Sequence, residues 1–163
     1  MNENVLNLLD RQFNHELYSA YIYLGFAHFY SRLGLMGFRH RFTEQAKEEL
    51  MHASAFLNYL EDEGEAVSFG EIPKMKFEPS KLTDPLHAAL EHEKFITDTI
   101  NNLYRAADEA KDYRTMRFLD KFIEEQAEEE KSAAALLSKV TMIGEDAAGL
   151  YMLDKELMQP QNS

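Results

Sequence analysis

Apolar residues recur at helical spacing along almost the whole chain, and the alternating apolar and polar runs that are typical of strands are hard to find. The pattern predicts an all-α protein with helices at about 4–33, 36–63, 84–112, 113–143 and 145–157. Gly34 and Gly144 provide stops after the first and fourth helices. Before the third helix, Asp84 or Thr83 is expected as the N-cap residue, with Pro85 at the first helical position.

The connections between these helices predict a bundle. Only a few residues separate the first helix from the second and the third from the fourth, so each pair is expected to form an antiparallel hairpin. The connection over residues 65–83 contains Pro73 and Pro79 and has no helical period, so we expect it to be extended. At ~3.3 Å per residue it reaches ~60 Å, which exceeds the roughly 40 Å length of helices of this size.

The predicted fold is therefore a four-helix bundle with one long crossover connection, parallel second and third helices and a short C-terminal fifth helix. We expect it to form a single domain over residues 1–163. The alternative is a linker between two separate helical hairpins, but a lone hairpin could not bury its apolar stripe.

The first helix is predicted to be apolar on two faces. Tyr18, Ile22 and Phe29 lie opposite its core stripe, as expected of a helix that is buried between subunits, although scattered surface aromatic residues would give the same pattern. A closed symmetric oligomer is the expectation. The core stripe itself is predicted to contain Leu6, Leu9, Phe13, Leu17, Ala20, Leu24 and Ala27.

Polar residues interrupt the core stripes near the middle of each long helix, and mid-helix positions of an antiparallel bundle lie at one height. Each one alone could be a surface or packing residue, but four coincidences at one height are hard to explain in that way. Burying unpaired carboxylates is costly, and no Lys or Arg lies on the stripes at this level, so we expect cations there. The interrupting residues are Glu16 on the first helix, Glu49 and His52 on the second, Glu93 on the third, and Gln126 and Glu129 on the fourth.

Composition narrows the possible partners. The 29 acidic and 17 basic residues give a net charge of −12, which disfavours nucleic acid and anionic membranes and favours cations. The absence of cysteine excludes disulfides, zinc–thiolate sites, iron–sulfur clusters and thiol nucleophiles. No leader, membrane span or glycine-rich phosphate loop is recognisable, so cytoplasm is the expected location and nucleotide chemistry is not expected.

The carboxylates of four interrupting residues match the charge of two divalent cations, namely Glu16, Glu49, Glu93 and Glu129. Oxygen ligands with one imidazole suit iron or manganese, and Glu49 and His52 at positions i and i+3 offer two ligands from one helix face. A second acidic set is either an auxiliary metal site or a solvated helix face, and it consists of Glu48, Glu125, Glu128 and Glu129. The other histidines are interpreted as surface or packing residues, namely His15, His28, His40, His87 and His92.

The chain resembles the ferritin-like superfamily, and within it the bacterial non-haem ferritins. The resemblance covers nearly the whole chain and is carried by five segments. These are Asn14-His15-Glu16-Leu17-Tyr18-Ser19-Ala20-Tyr21-Ile22-Tyr23, Gln45-Ala46-Lys47-Glu48-Glu49-Leu50-Met51-His52-Ala53, His92-Glu93, Glu125-Gln126-Ala127-Glu128-Glu129-Glu130-Lys131 and Gly149-Leu150-Tyr151-Met152-Leu153-Asp154-Lys155-Glu156-Leu157.

The resemblance implies a role for each candidate residue. Glu16, Glu49 and His52 would hold a first iron, and Glu49 would bridge to a second iron held by Glu93 and Glu129. The remaining implied residues are Gln126 beside the second iron, Tyr23 as a hydrogen-bonding electron donor, and Glu48, Glu125, Glu128 and Glu129 around a third iron.

The implied function is oxidation of ferrous iron by dioxygen or peroxide, followed by deposition of ferric oxyhydroxide in a hollow shell of 24 subunits. The chain lacks the second Glu-x-x-His of haem-bearing bacterioferritins, and Leu50 stands where they carry the haem-ligating Met, so no haem is expected. Two other functions stay open, a di-iron or di-manganese oxidase of an organic substrate and a non-catalytic helical scaffold.

Overall fold

A computed structural model describes residues 1–159, and the last four residues of the predicted domain, 160–163, lie outside it. The predicted all-α fold is confirmed, and the helix ends differ from the predicted ones by at most three residues. The largest difference is at the end of the third helix, because Lys111 adopts a φ of 54° and Asp112 already caps the next helix. The five helices are α1 (Glu3–Arg32), α2 (Met36–Asp62), α3 (Asp84–Glu109), α4 (Tyr113–Ile143) and α5 (Ala147–Leu157).

Helix α1 runs antiparallel to both α2 and α3, so α2 and α3 are parallel as predicted. Residues near the end of α1 contact the beginning of α2 and the turn just before α3, and residues nearer its middle contact positions further along both helices. The contacts that define these directions are Tyr23 with Phe42, Tyr30 with Phe38, Tyr23 with His92 and Tyr30 with Leu82.

The connection between α2 and α3 is the predicted crossover, and it follows α1 along its length. Ser68 donates its backbone N–H to Asp10, near the beginning of α1. Further along, the ring of Phe77 packs edge-to-face on Phe26, near the other end of α1. The crossover therefore spans the bundle from one end to the other.

The burial of α1 differs from the sequence-based prediction at two residues. Leu24, predicted in the core stripe, is 53% exposed, and the neighbouring Tyr23 and Phe26 are buried instead. Ile22, predicted on the opposite face, is only 6% exposed. The crossover explains this second difference, because Met75 lies with Ile22 around one shallow groove on that face.

The start of α3 also differs in detail. Thr83 occupies the N-cap position, but its side chain caps no backbone N–H. The carboxylate of Asp84 instead accepts hydrogen bonds from the backbone N–H groups of Ser80 and Lys81, which closes the turn before the helix. Pro85 lies in the first turn, as predicted.

No helix among residues 1–159 combines the length and apolar character needed to cross a membrane.

The apolar core consists of two clusters, and the polar residues that interrupt the helices lie between them. One cluster contains Tyr23, Phe26, Ala27, Tyr30, Phe38, Phe42, Ala46, Leu86, Ala89, Leu136, Val140, Leu153 and Leu157. The other contains Val5, Leu9, Phe13, Ala53, Phe56, Leu60, Ile96, Ile100, Leu103, Ala106, Leu119 and Phe122.

Candidate metal centre

Three ionisable residues from α1 and α2 meet between the two apolar clusters. Glu16, Glu49 and His52 each offer a ligand atom, and these atoms lie within 4.8 Å of one another. The three residues are 0%, 3% and 8% exposed, respectively. The antiparallel packing of α1 on α2 produces this group, because it brings the middle of one helix against the middle of the other.

The imidazole of His52 contacts carboxylates through both ring nitrogens. Its Nδ1 lies 3.3 Å from Oε2 of Glu49 and 3.9 Å from Oε2 of Glu16. On the opposite side, its Nε2 lies 3.2 Å from Oε2 of Glu125 on α4. A carboxylate on the far side of a metal-binding histidine fixes the orientation of the ring and makes the imidazole a stronger electron-pair donor to the metal. The structure therefore places Glu125, predicted as part of the auxiliary set, directly behind His52.

Glu16 is held by a residue that sequence reasoning missed. Gln12, which is 1% exposed, donates its Nε2 hydrogen bond to Oε1 of Glu16 at 2.7 Å. Oε2 of Glu16 is buried and has no hydrogen-bond partner. The spacing of the two residues, i and i+4 on the core side of α1, was the available signal.

Glu93 accepts hydrogen bonds from two other predicted site residues. The hydroxyl of Tyr23 donates to Oε1 of Glu93, and Nε2 of Gln126 donates to Oε2 of Glu93 at 3.1 Å. Tyr23, Glu93 and Gln126 are 1%, 2% and 4% exposed. Three helices thus contribute to this part of the site.

Glu129 is half-buried on α4 and accepts a hydrogen bond from Nε2 of Gln45, another buried amide that was not among the predicted site residues. Glu93 and Glu129 do not belong to the compact group around His52. They instead line a narrow cavity of about 10 Å³ on its other side, together with Tyr23 and Gln45.

Burial strongly favours the protonated forms of these carboxylic acids. Burial and the negative charges of Glu93 and Glu129 together raise the pKa of Glu49 to about 8, although the neighbouring Glu16 lowers it. Burial likewise raises the pKa of Glu93 to about 7. The pKa of Glu16 is well above its ordinary value because of burial and the neighbouring charge of Glu49. Protons or cations must therefore neutralise the group near neutral pH.

The predicted auxiliary residues form a looser arrangement. Glu48 is half-buried, and its pKa is raised by burial and by the charges of Glu129 and Glu125. Glu128 is exposed. The structure brings Glu48, Glu125 and Glu129 into electrostatic range, but it does not gather the four residues as closely as Glu16, Glu49 and His52.

The donor set fits a hard or borderline divalent cation. Carboxylate oxygens with one imidazole nitrogen are the ligands of iron and manganese centres, whereas the soft thiolate ligands that select other metals are absent from the chain. The partnerless Oε2 of Glu16 points to the same conclusion, because a buried carboxylate oxygen without a hydrogen-bond donor requires another positive partner.

Comparisons with known proteins agree with this fold. The family described as the ferritin-like domain matches residues 6–143. The bacterial non-heme ferritin of Staphylococcus saprophyticus is 36% identical over 157 residues, which are 96% of this chain and 94% of the relative. A probable bacterial non-heme ferritin-like protein of Haemophilus influenzae is 36% identical over 96% of this chain and 95% of its own length.

Solved structures extend the similarity to the whole fold. The open pore ferritin of the hyperthermophilic archaeon Archaeoglobus fulgidus superposes with a TM-score of 0.95 at 36% identity, over 99% of each chain. An engineered closed form of the Archaeoglobus fulgidus ferritin gives the same TM-score at 37% identity, over 100% of this chain and 99% of the other.

Proposed function

The chain belongs to the ferritin-like domain family, and from that premise we propose that it is an iron-storage ferroxidase. Ferrous iron is its substrate, dioxygen or peroxide is the oxidant, and the ferric product is stored as an oxyhydroxide mineral in a hollow shell of identical subunits. The observation that carries the proposal is the buried group of Glu16, Glu49 and His52, with ligand atoms within 4.8 Å of one another.

The first ferrous ion binds among these three residues. Oε2 of Glu16 is free to coordinate it, and the ion replaces the protons that the buried acids otherwise hold. Glu125 supports His52 from behind, through the contact with Nε2.

The second ferrous ion binds between Glu49, Glu93 and Glu129, with Glu49 shared by the two ions. The proximity of these three carboxylates supports this assignment, because the charges of Glu93 and Glu129 both act on Glu49. Four carboxylates then balance two divalent cations. Gln126 lies beside this ion and orients Glu93 through its amide.

Tyr23 acts as an electron donor to the centre. Its hydroxyl already donates a hydrogen bond to Glu93, so the phenolic proton can move to that carboxylate when the ring loses an electron.

The acidic residues around Glu48 form the third iron site. Glu48, Glu125 and Glu129 are within electrostatic range of one another, and Glu128 contributes from the exposed face of α4. Partial exposure of these residues suits a site that exchanges iron with the mineral.

We place the protein in the cytoplasm as a homo-oligomer of 24 chains without haem. Tyr18 and Phe29, half-buried in the single chain, and Tyr21, 40% exposed, leave an apolar outer face on α1 for contact between subunits. Chains of 18.9 kDa give a shell of about 450 kDa at this stoichiometry.

An oxidase acting on an organic substrate is less well supported. Such an enzyme needs a pocket beside the metals, and the cavity along Glu93 and Glu129 has a volume of about 10 Å³. That volume holds roughly one water molecule. It suits a diatomic oxidant or a peroxide better than an organic molecule.

The proposal predicts rapid oxygen consumption when ferrous iron is added in air to the metal-free protein. His52→Ala should lower the initial rate about 10-fold or more, because the first ion loses its nitrogen ligand. Glu16→Ala should have a similar effect. Oxygen uptake is followed with an electrode, and retained iron and particle mass are measured after gel filtration.

The matched control is His87→Ala, which replaces an exposed histidine on α3 that is not a proposed ligand. It should oxidise iron at the wild-type rate. Wild-type protein that consumes no oxygen and retains no iron would falsify the proposal. Loss of the oligomer in both site variants would instead assign these residues to packing.

A further inference from the structure

Gln12 is a buried amide at the border between the candidate metal centre and the apolar cluster that contains Leu9 and Phe13. It is 1% exposed and borders an apolar cluster. Burying its amide removes a polar group from water, a cost that an apolar side chain at this position would not have. Its Nε2 group donates to Oε1 of Glu16 at 2.7 Å. This buried amide is therefore directed at a single oxygen of a single proposed ligand.

The hydrogen bond makes the two oxygens of Glu16 different. Oε1 accepts the hydrogen bond from Gln12. Oε2 has no hydrogen-bond partner and lies 3.9 Å from Nδ1 of His52. An ion that binds both oxygens equally would require the carboxylate to rotate, which stretches the bond to Gln12.

Amides also hold two other carboxylates of the centre, although Glu93 differs from Glu16 in that its second oxygen accepts from Tyr23. Gln45 donates to Oε2 of Glu129, and Gln126 donates to Oε2 of Glu93. Among the side-chain hydrogen bonds of residues 1–159, Glu49 receives none from an amide, and its side-chain partner is His52. The outer carboxylates are thus each held by an amide, while the central one is left free to turn between two ions.

We infer that Gln12 is a positioning residue that makes Glu16 a one-oxygen ligand, bound through Oε2. The inference rests on the proposed function in that it requires an ion at Glu16, Glu49 and His52. Gln12 itself does not touch the ion. It acts by holding Oε1, which keeps the coordination number of the first ion low and leaves a position open for the oxidant.

The test uses Gln12→Met, because Met has a similar length and shape but no hydrogen-bond donor. Metal-free wild-type and variant proteins are titrated with Co²⁺ without oxygen, and the visible absorption of the bound ion is recorded. We expect the first Co²⁺ to bind the variant about 10-fold more weakly. The absorption per bound ion should also fall, because Glu16 is then free to bind through both oxygens and the coordination number rises.

The control is Tyr30→Phe on the same helix, which removes a partly buried hydrogen bond from the hydroxyl to the backbone oxygen of Leu82 without touching a proposed ligand. It should bind Co²⁺ as the wild type does. A loss of stability alone therefore cannot reproduce the result expected for Gln12→Met.

A crystal structure of the Co²⁺-loaded wild type provides a test that does not depend on the variant's folding. We expect one oxygen of Glu16 on the ion and the other on Gln12. Two-oxygen binding by Glu16, or an unchanged affinity and spectrum in Gln12→Met, overturns the inference while leaving the ferroxidase proposal intact. Wild-type protein that binds Co²⁺ in this way but oxidises no iron overturns the ferroxidase proposal alone.

Discussion

At the scale of single residues, Glu49 shows that the metal-free site disfavours the charged form of a carboxylate. The side chain is 3% exposed, and the charges of Glu93 and Glu129 act on it. Burial raises the pKa of Glu49 from its ordinary 4.5 to about 8. The folded protein therefore binds a proton here at pH values at which the unfolded chain has lost it. Stability must fall as the pH rises from the unfolded pKa towards the folded one.

We predict that the free energy of unfolding of the metal-free protein decreases between about pH 5 and pH 8, and that Glu49→Gln weakens this dependence. At pH 8 the variant should be more stable than the wild type by about 2 kcal/mol. This is roughly half the free energy that corresponds to the full pKa shift of Glu49. Urea denaturation at several pH values measures the difference.

Glu61→Gln, at an exposed position of the same helix, is the control and should leave the pH dependence unchanged. If Glu49→Gln destabilises the metal-free protein at pH 8, the carboxylate is paired with a positive group and the interpretation is wrong.

At the scale of the helices, α2 receives its N-terminal cap from another element. Leu35 at its N-cap position offers no side-chain hydrogen bond. Oδ1 of Asp154 on α5 accepts from the backbone N–H of Gly37 at 2.8 Å and of Phe38 at 3.0 Å. The two helices approach so closely that a Cβ on residue 37 would lie 1.7 Å from the backbone oxygen of Asp154. The short helix α5 thus stabilises the N-terminal end of α2, the helix that carries the proposed ligands Glu49 and His52.

We predict that Asp154→Ala destabilises the protein by about 1 kcal/mol, the usual effect of removing an N-cap. The melting temperature should fall by about 2–4 °C. Asp154→Asn retains an oxygen acceptor and should lose less than half as much. Thermal unfolding followed by circular dichroism tests both variants, and equal losses in the two would show that capping is not the main contribution of Asp154.

At the scale of the whole molecule, the candidate centre forms a polar layer between two apolar clusters. All four long helices pass from one cluster through this layer to the other. The layer contributes buried carboxylates where continuous apolar packing would be more favourable for a metal-free protein. A ligand that binds only the folded state reverses this cost.

We predict that anaerobic addition of Co²⁺ at about 100 times its dissociation constant stabilises the wild type by about 2.7 kcal/mol. The melting temperature should rise by roughly 5–10 °C. His52→Ala should show a much smaller rise in the same titration, measured by differential scanning fluorimetry. An equal rise in both proteins would mean that the cations act on the exposed acidic surface instead.

The sequence by itself determined the helices, their order and the height of the polar layer. Helical periodicity is a local property, so the pattern was sufficient to place Glu16, Glu49 and Glu93 on inner faces near mid-helix. The short and long connections were sufficient for the topology, because chain length limits which helix ends can meet.

Only the tertiary structure decided which neighbours each side chain meets. The crossover buries Ile22, whereas Leu24 stays exposed, because the coverage of a helix face depends on elements distant in sequence. The contacts identified Gln12 and Gln45 as partners of carboxylates. The i and i+4 spacing of Gln12 and Glu16 puts the two side chains on one helix face but does not show that they form a hydrogen bond. Hydrogen bonds depend on distances of tenths of an ångström, which helix packing and side-chain conformation set together.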